Sequence, residues 1–402
     1  VNILYLSAWY PAPPNNGSKL RTYHLLRGLG TQHAVTLLSF RQPHEVEDPD
    51  ALPFCHAVQT LPARPYRPNS ARALLGLFSP QPRVLVDRFA PEMAAAIGAT
   101  LAAAPFDLII AAQWYLAAYA PYFGAVPAIF EEAELGVFLD KVAQATSPLG
   151  RARHRLTQWK LRRYFQQLLG RFAAVTVASP QEQQILADFV PGYAPVVVIS
   201  NGVRVADYSA WSDGGPRRAA PEPHSLIYTG SFQYAANYDA MVWFLGQVWP
   251  QVRAALPDAR LRITGEHAGL PLPTTEGVIL TGLVPDVRPL VAESWAALAP
   301  LQSGGGTRLK ILEAMALGTP VVATSKGAEG LGAQPEVHLL VADDPADFAA
   351  AVIRLLQDAS LRRALARRAQ TWVAAHYDWD EILPQFLQVV DAAAVTRPVG
   401  SR

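Results

Sequence analysis

Three consecutive glycines, Gly304, Gly305 and Gly306, followed by Thr307, Arg308, Lys310 and Glu313, form the stretch of this sequence whose residue types and spacing point most directly to chemistry. The apolar run from Trp295 to Leu301 reads as a buried strand, and a helix is predicted from about Thr307. Gly318 stops that helix, and Pro320 to Ala323 opens the next strand. Glycines ahead of a helix leave unpaired N–H groups at its positive end with no side chains in the way, which suits a phosphate or diphosphate. Arg308 and Lys310 fall in the first turn, where the helix dipole disfavours cations, so an anion is expected to justify them. Gly306, Lys310 and Glu313 stand at offsets of zero, four and seven and so share a helix face. A carboxylate two turns from a phosphate site is placed to hold ribose hydroxyls. Taken singly, the glycines read as a chain turn and Lys310 with Glu313 as a solvated surface pair; taken together, the features favour the anion site.

Two better-known phosphate motifs are absent. No Gly-Lys-Ser/Thr follows four spacers, as a P-loop needs, and Leu309 stands where the dinucleotide fingerprint needs its third glycine. A second group of candidates is Glu131, Glu132 and Glu134, directly after the apolar run Pro127 to Phe130. Carboxylates at the carboxyl end of a parallel strand lie where such sheets bind ligands, although acids at a loop start are as often only solvated. The pairs Asp48/Asp50 and Asp378/Asp380 have the letters of a metal motif but follow no clear strand, so they read as caps or loops. The single cysteine, Cys55, leaves neither an internal disulfide nor a cysteine zinc site. No metal ligands are assigned.

These residues need a frame. With 402 residues, two domains of about 200 residues each are the prior. Half the residues are apolar and 17% are charged, which describes a folded protein with ample core. A net charge of +1 argues against a general nucleic-acid binder. The start, Val1 to Ser7, reads as a strand and not a signal peptide, and no run approaches the roughly 18 apolar residues of a spanning helix. The expectation is a cytoplasmic protein whose membrane contact, if any, is peripheral at the inner face.

Short apolar strands alternate with helices in both halves, so the fold class is α/β with two parallel sheets, each covered by helices. Gly17 sits at a second strand-to-helix turn, with Ser18 as the expected cap and Lys19 and Arg21 beyond it. From Arg41 to Arg83 the pattern is poor and reads as loops with short helices. Residues 151 to 171 hold seven Arg or Lys and no acid, interleaved with Leu156, Trp159, Tyr164, Phe165 and Leu168. This is a basic amphipathic helix whose apolar face is expected to pack on the domain core, ahead of a second reading in which its basic face meets anionic lipid. The segment from Pro191 to Pro195 is the expected hinge, giving a first domain of 1–195 with a returning helix from 376–402, and a second of 196–375.

The second half also carries an ordered series of motifs: Asn201-Gly202-Val203, Tyr228 to Ser231, Asn237, Ile263 to Gly265, Thr281 to Asp286, Gly304 to Gly318 and Gly327 to Gly330. The series resembles the donor half of family 4 glycosyltransferases of the GT-B type, most of all the bacterial sugar transferases associated with exopolysaccharide synthesis. The resemblance implies two Rossmann-like domains facing across a cleft and transfer of a sugar from a nucleotide-diphosphate sugar, with retention and without a metal or other cofactor. The acceptor would be a glycan or a lipid-linked glycan. By the same resemblance Glu313 would hold the ribose, Gly17 would face the donor phosphates, Thr281, Gly282, Leu283 and Val284 would meet the base, and Gly304 to Thr307 would lie against the sugar and diphosphate. Gly230 and Ser231 would line the same site. The sequence departs from the pattern in three places: Gly305 stands where many relatives have a first glutamate, Ser231 and Asn237 stand where many have Arg and Lys, and Glu131 and its neighbours stand where relatives often place a histidine. Arg308 and Lys310 are therefore the expected diphosphate cations. Two alternatives are a nucleotide-sugar epimerase of the same build and a silent nucleotide-sugar binding module.

Overall fold

The computed structural model describes the chain except residues 44, 137–146, 194, 213, 218, 274 and 396–402. It divides into two compact units, Val1–Asn201 together with Leu383–Arg402, and Gly202–Ile382. The division falls six residues after the expected boundary, and the last residues of the expected returning segment, 396–402, lie outside the described residues.

The first unit is built on β1 (Asn2–Ser7), β2 (Ala34–Arg41), β3 (Ala57–Pro62), β4 (Leu108–Ala112), β5 (Ala128–Glu131), β6 (Ala174–Val177) and β7 (Val196–Val198). They pair in parallel in the order β3-β2-β1-β4-β5-β6-β7. Strands such as β4, apolar throughout and wholly buried, can sit only where both faces are covered. Ile3 lies opposite Val35 on one side and Leu108 on the other, so β1 and β4 meet at the sheet's centre. The winding reverses between these two strands, which opens a crevice at their carboxyl ends.

Three expectations change here. Val196–Val198 was expected to open the second half, but it is the seventh strand of the first sheet, because β6 offers it a ladder that a free apolar run would otherwise lack. The 191–195 segment is thus the connection between the helix Pro180–Phe189 and β7. The poorly patterned 41–83 region hides β3, an edge strand with one neighbour and partial burial, which needs little apolar content. The first helix, Gly17–Leu29, is capped by Asn16, whose side chain accepts from the Lys19 N–H, so Gly17 is its first residue and Ser18 its second.

The second unit contains β8 (Ser225–Thr229), β9 (Arg260–Thr264), β10 (Val278–Gly282), β11 (Ala296–Ala299), β12 (Val321–Ala323) and β13 (Leu340–Val341), parallel in the order β10-β9-β8-β11-β12-β13. Its core gathers Tyr228, Phe244, Trp249, Leu261, Leu298 and Phe348. The helix Pro345–Gln357 shows why: Phe348, Val352, Leu355 and Leu356 recur at helical spacing and are buried, Asp344 caps the start, and proline stands at the first position. Burying each of those large side chains contributes about 1.5–3 kcal/mol. The reversal of winding falls between β8 and β11. The residues that follow β8 and β11 therefore meet at one switch point.

The helix Trp379–Val395 begins in the second unit and counts with the first from Leu383 onward, where the Leu383 side chain occupies the space that a Cβ on Gly28 would need. Asp48 accepts from the Asp50 N–H and Asp378 from the Asp380 N–H, so both Asp-x-Asp pairs are local caps.

Candidate functional site

In the second unit the glycine loop after β11 and the helix Leu309–Ala316 lie at the switch point. The helix starts two residues later than predicted, with Arg308 at its cap position. Gly304 and Gly306 adopt φ of +100° and +80°, and a Cβ at Gly304 would collide with the Tyr234 hydroxyl. Backbone conformation therefore disfavours a side chain there, and the Tyr234 ring would have to move to admit one.

Lys310 reaches from the first turn of this helix to the end of β8. Its Nζ donates to the Tyr228 hydroxyl at 3.0 Å and to Asn237 Oδ1 at 2.9 Å, and sits 4.2 Å from the centre of the Tyr228 ring. The Tyr228 hydroxyl in turn donates to Asn237 Oδ1 at 2.8 Å, and Asn237 Nδ2 donates to the Ser231 carbonyl at 2.8 Å. Two neutral oxygens hold the ammonium in place without neutralising it. Burial, reinforced by the Arg308 charge and opposed by Glu313, pushes the Lys310 pKa down to about 7. Gly230 makes the approach feasible, because a Cβ there would stand 3.0 Å from Lys310 Nζ and 2.9 Å from Asn237 Nδ2.

Glu313, one turn further along, accepts a 3.1 Å hydrogen bond from the Tyr208 hydroxyl. Burial raises its pKa, against the pull of that hydrogen bond and of Lys310 and Arg288. Lys310 and Glu313 are both half-buried as whole residues. Gly306 precedes the helix, so the shared face joins only Lys310 and Glu313.

Arg308 departs from its expected role. It is buried, and its guanidinium donates to the carbonyls of Gly305 and Gly304, both at 2.7 Å, and of Lys326 at 3.3 Å. Both terminal nitrogens of the guanidinium donate to these carbonyls, while its Nε is buried without a partner among the described residues. Arg308 braces the loop and adds positive field behind Lys310. Thr307 is half-buried between loop and helix.

The ends of β8, β9 and β10 lie side by side. Gly230 N–H donates to Thr264 at 2.9 Å and Gly265 N–H to Gly282 at 3.0 Å. Thr281 Oγ1 turns back to the Gly282 carbonyl at 3.1 Å, Gly282 has a φ of +69°, and Leu283 is 81% exposed. Val284 follows, half-buried.

In the first unit the three acids separate. Glu131 is wholly buried, its Oε1 2.6 Å from Arg21 Nε, and Arg21 also donates to the Ile199 carbonyl and to Asn201 Oδ1, both at 2.8 Å. Expected among the candidate bases, Glu131 is thus a structural partner of Arg21, which has no exposure either. Burial raises its pKa, with Arg21 pulling it down and Glu132 adding to the rise. Glu132 and Glu134 instead line a cavity of about 660 Å³ at the carboxyl ends of β1, β4 and β5, with Trp9, Gln113, Trp114 and Tyr115 among its other walls. Gln113 and Glu132 both adopt left-handed backbone, φ +60° and +58°, and Gln113 Nε2 donates to Glu132 Oε2 at 3.0 Å. Non-glycine residues in that region cost about 1–3 kcal/mol each, and such strain persists chiefly at functional positions. Gly17 is half-buried at its helix start, and Lys19 is paired with Glu45 at 2.5 Å.

Sequence reasoning passed over Tyr228 and Asn237 as partners of Lys310, Tyr208 as the partner of Glu313, and Gln113 as the partner of Glu132. A tyrosine closing a strand just ahead of Thr229-Gly230, and an asparagine in the helix beyond, were the available signals for the first pair. Among the described residues no group of three or more His, Cys, Asp or Glu could hold a metal ion, and no helix is long and apolar enough to cross a membrane.

Comparison with known proteins bears on the fold and the family. Residues 15–207 match the family described as Glycosyltransferase Family 4, and residues 223–358 match Glycosyl transferases group 1. A phosphatidyl-myo-inositol mannosyltransferase of Mycolicibacterium smegmatis is 29% identical over 58% of this chain and 60% of its own length. A 44.6 kDa protein of the cps region of Klebsiella pneumoniae is 26% identical over 38% of this chain and 42% of its own. The chain thus spans about half the length of the curated relatives it matches. Among solved structures, sucrose-phosphate synthase of Thermosynechococcus elongatus superposes with a TM-score of 0.70 at 19% identity, covering 97% of this chain and 98% of that one. Anabaena HepE in complex with UDP and glucose superposes with a TM-score of 0.67 at 18% identity, covering 97% and 99%.

Proposed function

The chain belongs to the family 4 glycosyltransferases, and from that premise we propose that it is a retaining, hexose-transferring enzyme that moves a sugar from a nucleotide-diphosphate sugar to a glycan or lipid-linked acceptor in polysaccharide or glycolipid synthesis. The observation that carries this reading is the Lys310 ammonium, held by Tyr228 and Asn237 at the switch point of the second sheet, with Glu313 one turn away. Breaking the bond between the sugar's anomeric carbon and the diphosphate oxygen leaves charge on that oxygen. A preorganised cation and bare glycine amides are suited to receive it. Lys310 binds the diphosphate, Glu313 accepts from the ribose hydroxyls, and the segment from Thr281 to Val284 presents its backbone to the base. Anabaena HepE, whose structure holds UDP, makes a uridine diphosphate the first probe to try.

The acceptor takes the cavity beside Glu132 and Glu134. Its hydroxyl oxygen bonds to the anomeric carbon on the face the phosphate leaves, and its proton passes to the departing phosphate oxygen. Gly305 offers no nucleophile for a double displacement, which favours this front-face route. The positive charge at the diphosphate comes from Lys310, so turnover is expected to persist after chelation of divalent ions; loss restored by magnesium or manganese would contradict that. The enzyme works at the inner membrane face on the cytoplasmic side.

The test is a panel of nucleotide sugars incubated with the protein and no acceptor. One donor should slowly release its nucleoside diphosphate, and Lys310→Ala should lower that rate about 100-fold, the scale of losing one preorganised charge donor. A donor converted to its epimer, or donors that bind without reacting, would replace this reading with an epimerase or a silent binding module.

A further inference from the structure

The helix Pro148–Leu168 presents two apolar faces, and only one of them is used by the core. Leu161, Tyr164, Phe165 and Leu168 are buried. Leu149, Leu156 and Trp159, at spacings of seven and three, form a separate stripe on the solvent side, with Trp159 52% exposed. Beside this helix lies the short helix Ala71–Leu75 and the turn after it, because Lys160 Nζ donates to the carbonyls of Gly76 at 3.2 Å and Leu77 at 2.7 Å. Leu75, which ends that helix, is 67% exposed, and Phe78, in the turn, is 90% exposed. Seven of the eighteen large exposed apolar side chains among the described residues fall on these two segments. Scattered exposed leucines need no explanation, but a cluster does.

Charge says what would cover it. Residues 147–171 hold seven of the chain's 34 Arg and Lys and none of its 33 acids, whereas the cations of residues 64–86 are engaged locally, Arg64 with Glu92 at 2.8 Å and Arg72 and Arg83 with backbone carbonyls. The rest of the chain is left with 27 cations against 33 acids, so a net charge of +1 conceals a basic helix on an otherwise acidic molecule. Arg151, Arg155 and Arg162 follow one edge of the apolar stripe, and Arg163 lies over the Trp159 ring, 5.1 Å from its centre. A second copy of the chain would bring two such cationic faces together. A nucleic acid would gain nothing from Leu75 and Phe78.

We infer that this face docks on an anionic lipid bilayer, with Leu75, Phe78, Leu156 and Trp159 entering the headgroup boundary and the arginines meeting lipid phosphates. An aromatic and leucine stripe flanked by arginine is the pattern of a helix lying in the interface plane, and each cation near an anionic surface contributes about fivefold in binding. Leu77, Leu156 and Lys160 also line the cavity that Glu132 and Glu134 share, so the lipid-facing surface and the acceptor cavity are continuous. Docking stands on the surface alone and holds whether or not the acceptor is lipid-linked.

The experiment is vesicle flotation with the full purified chain, using phosphatidylcholine vesicles with and without phosphatidylglycerol. Binding is expected only with the anionic lipid and should weaken as salt is raised. The pair Leu75→Ser and Phe78→Ser should abolish flotation, and Arg155→Gln with Arg162→Gln should weaken it about 25-fold from two lost charges. Unchanged melting temperatures and UDP binding in both double variants would confirm that the loss is at the surface. Should the apolar pair fail to fold, the arginine pair alone decides. No flotation with anionic vesicles, equal flotation with neutral ones, or arginine variants that float as well as the parent would overturn the inference. So would a parent that forms dimers in solution through this face and ignores vesicles.

Discussion

Raising the pH from 7 to 9 should weaken binding of a nucleoside diphosphate about 50-fold, and Lys310 is the reason. In the free protein its pKa is pushed to about 7, chiefly by burial and then by the Arg308 charge, with Glu313 pulling the other way. A bound diphosphate supplies the missing counter-charge and restores the pKa toward its ordinary value. The ammonium form is then about half the free protein at pH 7 and about one part in a hundred at pH 9, and only that form binds the anion well. Tyr228 stays neutral throughout, since burial lifts its pKa further from this range. The ligand contributes little to the slope above pH 7, because a terminal phosphate's last pKa is about 6. The same depressed pKa works in the opposite direction on stability: the unfolded chain holds the lysine proton more tightly, so the free protein gains stability as pH rises from about 7 toward the ordinary lysine value. Titration calorimetry with UDP in buffers of different ionisation enthalpy measures both affinity and proton uptake. Uptake approaching one proton near pH 8.5 and a slope that vanishes in Lys310→Met are expected. Affinity that is flat or rises between pH 7 and 9, or binding without proton uptake, would refute the assignment.

Other outcomes follow from individual contacts. Glu313→Gln should reduce affinity for UDP by about tenfold, the scale of a charged hydrogen bond to a ribose hydroxyl, while affinity for inorganic diphosphate stays unchanged; equal losses for both ligands would move Glu313 out of the ribose site. Arg308→Ala strips donors from three carbonyls and should cost about 3 kcal/mol, or roughly 6–12 °C in the melting of the second unit, and a rate loss without any thermal shift would show that Arg308 faces the ligand after all. Of Glu132→Gln and Glu134→Gln, one should cut transfer to acceptor while leaving UDP binding intact; near-normal transfer in both would make the cavity acids merely solvated.

What the sequence revealed and what it concealed divide along sequence separation. The glycines, Lys310 and Glu313 lie within ten residues, so helix geometry alone joined their chemistry. The groups that tune them come from far away: Asn237 and Tyr228 stand 73 and 82 residues before Lys310, and Tyr208 stands 105 before Glu313. Only the order of strands in the sheet brings them together. Arg308 was misjudged for a related reason, since its partners are backbone carbonyls, which composition does not show. Glu131 and Glu132 are adjacent letters with opposite fates, one buried against Arg21 from 110 residues earlier and one turned into the cavity by a left-handed backbone. The alternation of strands and helices was plain because parallel strands buried on both faces are continuously apolar; β3, half-exposed at a sheet edge, lacked that mark.

Glycosyl transfer with retention at a site built on Lys310 is read directly from the anomeric proton. Proton NMR would follow the first sugar released from an α-linked donor by water, before mutarotation scrambles it, in the parent protein and in Lys310→Ala. The α anomer should appear first, together with the nucleoside diphosphate, and the variant should slow both. A β anomer appearing first would contradict retention and make a Glu132 or Glu134 carboxylate the base of an inverting reaction.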